Sequence, residues 1–174
     1  EELYLGYNPL GKSDTKELFS KISNFNGLKK LYINDCFISD NEIKYLTNCL
    51  TTHSRLTHLD LSSNHIQSDG AKYLGDFFAH NNSLSTIYLS YNGIGEVGVE
   101  SLFRGISENT HLKKLYIRNN TLKDRGIKVI SELLQNNKVL EAINLGDNEI
   151  SDEGIEALCE FLKENKSIKS LNLG

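Results

Sequence analysis

Several features that would point directly to a function are absent from this sequence of 174 residues. No apolar run approaches the roughly 18 residues that a membrane-spanning helix needs. The opening residues, EELYLGYNPLG, lack the charged, apolar and small-residue regions of a signal peptide. The formal net charge of −4 gives no basic excess, which argues against a nucleic-acid-binding face. We therefore predict a protein that binds neither membrane nor nucleic acid.

The residue patterns of common catalytic sites are missing as well. There is no Gly-rich phosphate loop, no G-x-S-x-G elbow and no C-x-x-C pair. The three cysteines, Cys36, Cys49 and Cys159, cannot all pair with one another, so we interpret them as reduced thiols of a cytoplasmic protein. Three Asn-x-Ser/Thr triplets are interpreted as chance occurrences in an Asn- and Ser-rich chain and not as glycosylation sites; they begin at Asn81, Asn119 and Asn165. We predict no enzyme activity, no catalytic residue and no cofactor.

What the sequence does contain is a repeat of 28 residues. The block LKKLYINDCFI from Leu28 aligns without gaps with LTHLDLSSNHI from Leu56 and LSTIYLSYNGI from Leu84. The series continues with LKKLYIRNNTL, LEAINLGDNEI and the shorter IKSLNLG, while LYLGYNPL near the start is the tail of an earlier copy. Neither end shows the polar cap of a terminal repeat, so we expect residues 1–174 to be part of a longer array. The predicted units are a partial repeat 1–27, repeats 28–55, 56–83, 84–111, 112–139 and 140–167, and a partial repeat 168–174.

Each copy has two halves with different periodicities. The first half predicts a short strand, near residues 3–5, 31–33, 59–61, 87–89, 115–117, 143–145 and 171–173. In the second half, apolar residues spaced by three and four, such as Ile43, Leu46 and Leu50, predict one buried stripe of a helix. Asp40, Ser68, Asp124 and Asp152 stand where we expect each helix to be capped.

The first half of each copy resembles the leucine-rich repeat pattern LxxLxLxxN/CxL, and the strand-plus-helix unit of 28 residues resembles the ribonuclease-inhibitor-like subclass. The resemblance covers the whole chain and implies an α/β fold. That fold is a leucine-rich repeat solenoid, or horseshoe, with a parallel β-sheet on its concave face and α-helices on its convex face.

One column of the repeat is almost entirely asparagine. It holds Asn8, Cys36, Asn64, Asn92, Asn120 and Asn148. The family uses this column as a ladder that satisfies backbone groups in the turn after each strand, so we expect Cys36 to be a structural residue. The histidines fall in different columns, and columns are what bring distant residues together in a solenoid, so we predict no metal site; they are His53, His58, His65, His80 and His111.

Two further columns face the concave side and its rim. One column holds the variable residue between the last two leucine positions of LxxLxL, and the other holds the residue just before the ladder position. Together these columns contain six of the eight tyrosines, where random placement would put fewer than one. Tyrosine is favoured at interfaces because it offers a large rigid ring and a polar tip. We therefore predict a protein-binding face formed by Tyr4, Tyr7, Tyr32, Asp60, Tyr88, Tyr91, Tyr116 and Arg118.

Three functions are compatible with this surface. The first is a protein–protein interaction module, as in intracellular receptors or in bacterial effectors that act in the host cytoplasm. The second is an architectural element of a larger assembly, such as a cytoskeletal complex. GTPase-activating proteins for Ran have a similar repeat length and form the third alternative, although no motif allows their residues to be transferred to this chain.

Overall fold

Short strands and longer helices alternate along the whole chain. The computed structural model describes residues 1–10, 12–51 and 53–174. In these ranges the strands are β1 (Glu2–Tyr4), β2 (Lys30–Tyr32), β3 (His58–Asp60), β4 (Thr86–Tyr88), β5 (Lys114–Tyr116), β6 (Ala142–Asn144) and β7 (Ser170–Asn172). The helices are α1 (Lys12–Ser23), α2 (Asp40–Leu50), α3 (Ser68–His80), α4 (Gly95–Glu108), α5 (Lys123–Leu134) and α6 (Asp152–Glu164).

The described strands form one parallel sheet in chain order, from β1 to β7. Leu3 pairs with Leu31 and Leu31 with Leu59, so each strand is in register with the next across one repeat. Every predicted strand is confirmed, one residue earlier than expected. The reason is that backbone bonding begins early, since both Lys29 and Lys30 donate their N–H groups to the Glu1 carbonyl. The leucine-rich repeat horseshoe is therefore confirmed as the fold.

The core lies between the sheet and the helix layer. Each strand points its central residue inward, as Leu59 and Ile87 do, and the helices α2 to α5 bury the predicted stripe, as Ile43, Leu46 and Leu50 do. Burying an aliphatic side chain contributes about 1.5–3 kcal/mol. The last helix is less well covered, because Ile155 and Leu162 remain partly exposed.

The asparagine ladder is confirmed atom by atom. The Asn120 amide donates to the carbonyl of Leu89 at 2.9 Å and to that of Ile117 at 3.2 Å. Its side-chain oxygen accepts from the Ile94 N–H at 3.4 Å. Cys36 keeps part of this role, because its buried thiol donates toward the Leu5 carbonyl at 3.2 Å. From Cys36 onward, each ladder residue therefore joins its own repeat to the preceding one.

A second asparagine ladder, which the sequence reasoning missed, lies after the helices. Asn109 donates to the carbonyls of Phe78 at 2.7 Å and Asn81 at 2.8 Å, and its oxygen accepts from two backbone N–H groups ahead of it. Asn137 and Asn165 repeat the pattern one and two copies further on. Asn81 and Asn165 are only 6% exposed, so two of the three Asn-x-Ser/Thr triplets begin with a buried structural amide.

The helix-capping prediction was wrong for all four residues. Ser68 and Asp152 are the first residues of α3 and α6, and the N-cap positions are Gln67 and Ser151.

Asp40 and Asp124 stabilise the next repeat instead of their own. Asp124 accepts from the backbone N–H groups of Ser151 at 2.8 Å and Gly154 at 3.1 Å, at the start of α6. These contacts lower the pKa of Asp124, with the hydrogen bond from the Ser151 side chain as the main cause. Asp40 accepts in the same way from the Gln67 N–H at 2.7 Å. Carboxylates at helix starts thus tie adjacent repeats together.

Candidate functional site

The candidate site is the concave surface of the sheet. The central residue of each strand is buried or partly buried, whereas its two neighbours point out of the concave face. The pairing register puts one predicted column in a continuous line across five strands: Tyr4, Tyr32, Asp60, Tyr88 and Tyr116. The structure therefore brings five of the predicted site residues together.

The strand tyrosines form two stacked pairs, one on each side of Asp60. The ring centroids of Tyr4 and Tyr32 are 4.5 Å apart with an interplanar angle of 1°. Those of Tyr88 and Tyr116 are 4.5 Å apart with an angle of 8°. Cross-strand aromatic pairs stabilise a sheet by themselves, so this part of the surface has a structural reason to exist as well.

Tyr7 and Tyr91 lie on the rim, in the loops that follow β1 and β4, and are 79% and 49% exposed. Both have left-handed backbones, with φ of 63° and 58°. This conformation is unfavourable for bulky side chains and is better tolerated by Asn and Asp, which occupy the same column as Asp35, Asn119 and Asp147. Local structure therefore gives no reason for a tyrosine here.

Asp60 sits half-buried between the two stacks. One of its carboxylate oxygens accepts from the Ser62 N–H at 2.9 Å. Within the part of the chain that the structure describes, no ion pair involves Asp60. The site thus holds a carboxylate with an oxygen left for another group.

Charged neighbours surround this column. Lys30 pairs with Glu2 at 2.8 Å, and Arg118 donates to Asp147 at 2.7 Å through Nε. Burial lowers the pKa of His58, with Lys30 and Lys114 contributing, so His58 is neutral near pH 7. A hydrogen bond to Glu2 raises the pKa of Tyr4 to about 12, and burial raises that of Tyr88. Tyr4 and Tyr88 therefore present neutral hydroxyl groups near pH 7.

Sequence reasoning missed one aromatic residue of the rim. Phe37 follows the ladder position of its repeat, is 59% exposed and has φ of 58°. Its ring packs edge-on against His65, with centroids 5.6 Å apart. The repeat comparison could have identified it, since its column holds Pro9, His65, Gly93, Thr121 and Glu149 and no other large apolar residue.

Two negative findings concern the same described ranges. In residues 1–10, 12–51 and 53–174, no three His, Cys, Asp or Glu side chains are grouped so that they could hold a metal ion. In that part of the chain no helix is long and apolar enough to cross a membrane.

The repeat is also recognised by comparison with known families. A model described as "Leucine Rich repeat" matches residues 53–75, 80–103, 108–131 and 136–159, which together make up more than half of the chain. The chain belongs to the leucine-rich repeat family. A comparison with curated protein sequences finds no match.

Solved structures share the fold of this leucine-rich repeat chain. A structure titled "Leiomodin-1 Actin-Binding Site 2" matches with a TM-score of 0.72 and 17% identity, covering 90% of each chain. The tropomodulin C-terminal domain of Caenorhabditis elegans matches with a TM-score of 0.69 and 16% identity, covering 88% of this chain and 92% of that one. Identities this low establish a common fold only.

Proposed function

We propose that this chain is a protein-interaction module whose partner lies across the concave side of β1 to β5. The observation that carries the proposal is the line of exposed and partly exposed tyrosines that continues from the strands onto the rim. Tyr7 and Tyr91 hold backbone conformations that disfavour them, and strained backbone of this kind is concentrated at functional sites. The proposal gives the chain a binding role and no catalytic one.

The proposed contact surface ends after β5. In β6 and β7 the tyrosine column continues as Asn144 and Asn172, and the next outward position is glycine in both, Gly146 and Gly174. These small residues offer little area to a partner. We therefore place the centre of the interface near Asp60 and Tyr88.

Site-specific photo-crosslinking tests the proposal. A benzophenone amino acid would replace Tyr88 on the concave face or Lys128 on α5, and partners captured in a cell extract would be identified by mass spectrometry. We expect a specific adduct from position 88 and none from position 128. Affinity for the captured partner should then fall clearly for Tyr88→Ala and Asp60→Ala, since truncation near an interface centre typically costs about 2 kcal/mol or more.

Matched controls separate the concave surface from the rest of the molecule. Asn172→Ala lies in the same column beyond the tyrosines and should leave affinity unchanged. The concave-face proposal fails if Lys128→Glu abolishes binding while Tyr88→Ala leaves it intact.

An architectural role in a cytoskeletal assembly is the second candidate. It is favoured by the shared fold with the two solved domains, one of which is titled as an actin-binding site. The test is co-sedimentation of this chain with filamentous actin, together with titration of monomeric actin. Binding that is lost in Tyr88→Ala would make actin the partner of the concave face, and no binding to either form removes this candidate.

A further inference from the structure

We propose that the gap between the two tyrosine stacks is a slot for an arginine side chain of the partner protein, with Asp60 as its anionic floor. This inference rests on the proposed function and specifies the chemistry of the partner at the centre of the contact surface.

The slot is created by a missing ring in an otherwise aromatic column. Tyr32 and Tyr88 flank Asp60 in the pairing register. Each of these rings stacks on the neighbour that lies away from Asp60, so its opposite face is turned toward β3. Adjacent strands are about 4.8 Å apart, and the two faces are therefore separated by about 9–10 Å. A planar group inserted between them would lie about 5 Å from each ring, within the limit of about 6 Å for cation–π attraction.

The negative charge of Asp60 is not needed for local structure. In the same column, Asn144 accepts from the Gly146 N–H at 3.0 Å and Asn172 from the Gly174 N–H at 3.0 Å. These bonds are equivalent to the one that Asp60 accepts from Ser62 at 2.9 Å. An asparagine therefore supports this turn in two other repeats of the chain. The carboxylate adds only charge, and it does so at the one position that lies between two tyrosine rings.

The charges around the slot leave Asp60 available to a cation. Lys30, on the adjacent strand, is paired with Glu2, and His58, on the same strand and face, has a lowered pKa and is neutral near pH 7. Lys114 lies two strands away from β3, on the far side of Thr86. A half-buried carboxylate with one oxygen left over attracts a cation more strongly than a fully solvated one does.

Arginine fits the slot better than lysine. Its guanidinium is planar, so it can lie between the two ring faces, and it can donate in a fork to a carboxylate. A lysine ammonium is a compact and strongly hydrated point charge. It could pair with Asp60 but would gain less from the two ring faces.

The test uses a short capped peptide, Gly-Ser-Arg-Ser-Gly, titrated at low ionic strength into protein carrying ring-labelled tyrosine. The comparison peptides replace arginine with citrulline, its neutral isostere, or with lysine. We expect the arginine peptide to produce saturable NMR shifts of Tyr32 and Tyr88 in the millimolar range. The lysine peptide should bind more weakly, and the citrulline peptide should cause no saturable shift.

Two variants isolate the slot. Asp60→Asn keeps the local turn, as Asn144 shows, and should not change the melting temperature. It should lower affinity for the arginine peptide about tenfold or more, because the hydrogen bond to a charged acceptor is lost. Asn144→Asp is the matched control. It places a carboxylate between Tyr116 on one side and Asn172 on the other, so only one ring is available there. We therefore expect no second site of similar affinity.

The slot is refuted if Tyr32 and Tyr88 show no saturable shift with the arginine peptide. It is also refuted if the Asp60→Asn variant binds the arginine peptide as tightly as the parent protein does, or if the parent protein binds the citrulline peptide as tightly as the arginine peptide. That result would leave the proposed function standing, provided Tyr88→Ala still weakens the captured partner. Crosslinking from Lys128 instead of Tyr88 would overturn the proposed function whatever the peptides do.

Discussion

At the scale of single residues, asparagine plays the main structural role. Asn120 is fully buried, while Asn92 has the same bonds but is partly exposed, with its oxygen accepting from the Ile66 N–H at 3.0 Å. A buried backbone group that loses its partner is far more costly than one that water can reach. The two residues therefore allow a graded test of the ladder.

We predict that Asn120→Ala lowers the free energy of unfolding by about 1–3 kcal/mol. Asn92→Ala should cost less, because water can replace part of what the amide provided. Urea denaturation of both variants and of the parent protein measures the difference. A change below about 0.5 kcal/mol in Asn120→Ala would show that the column does not act as a hydrogen-bonded ladder.

Replacing a rim tyrosine is predicted to raise stability, whereas replacing a ladder asparagine lowers it. Tyr91→Asn places at φ 58° the residue type that occupies φ 54° one repeat later, at Asn119. Because asparagine tolerates this conformation better, we expect the variant to be more stable by about 0.5–1 kcal/mol while binding its partner less well. Thermal denaturation tests the first half without any partner. A variant that melts below the parent protein would mean that the Tyr91 ring contributes to folding.

The same scale shows what the sequence pattern could and could not predict. Columns in which most repeats agree, such as the first ladder and the strand leucines, are visible in the alignment, and the structure confirms them. The second ladder was missed although asparagine fills its column in four successive copies, because these residues lie outside the LxxLxLxxN/CxL pattern. Phe37 was not predicted because the interface prediction rests on the two concave columns, and Phe37 lies in neither.

At the scale of whole elements, strands were predicted more accurately than helix starts. The strand period is carried by buried residues within one repeat, so the sequence alone locates it to within one residue. The contacts of Asp40 and Asp124 cross to the next repeat, and helix propensity says nothing about such contacts. Intra-repeat reasoning therefore assigned these carboxylates to the wrong helix.

The helices α3 and α4 approach each other more closely than the repeat pattern suggests. A Cβ atom added at Gly105 would lie 1.9 Å from the Gly75 carbonyl oxygen, and one added at Gly75 would lie 2.2 Å from that of Ser101. These distances require the absence of a side chain at both glycines. The close contact involves backbone on both sides, so a rotamer change cannot relieve it.

We predict that Gly105→Ala destabilises the protein by about 1–3 kcal/mol, because one helix must shift to admit the methyl group. Helix propensity alone would predict the opposite effect, an increase of about 1 kcal/mol in the free energy of unfolding. Val97→Ala, at a 74% exposed position of the same helix, is the control and should change stability by less than about 0.5 kcal/mol. Chemical denaturation decides the sign, and an increase in stability for Gly105→Ala would contradict the close packing.

At the scale of the whole molecule, each repeat depends on its neighbours and on nothing further away. The helices α2 to α5 bury five or six residues each, whereas in α6 only Gly154, Leu158 and Phe161 are buried. A solenoid is held together by such nearest-neighbour interfaces, so stability varies along the array. In this chain of 174 residues, the last elements are therefore less well covered than the middle ones.

Hydrogen exchange should reveal this gradient. We predict that backbone amides of α6 and β7 exchange at least about tenfold faster than those of α4 and β4, through local opening of the last repeat. Mass spectrometry of peptic fragments at several labelling times measures it. Uniform protection along the chain would indicate that the array opens only as one cooperative unit.

The ladder also bears on how such a chain changes length through evolution. From Asn64 onward, each ladder asparagine bonds to its own repeat and to the repeat before it in the same way, as Asn120 and Asn148 do. Unequal recombination between two repeats at matching positions would therefore leave every junction with the ladder partners it needs. Gain or loss of whole 28-residue units therefore preserves the contacts between neighbouring repeats. An insertion of any other length in a strand would break the pairing register. The array can lengthen by duplication and then diversify its concave columns, one side chain at a time.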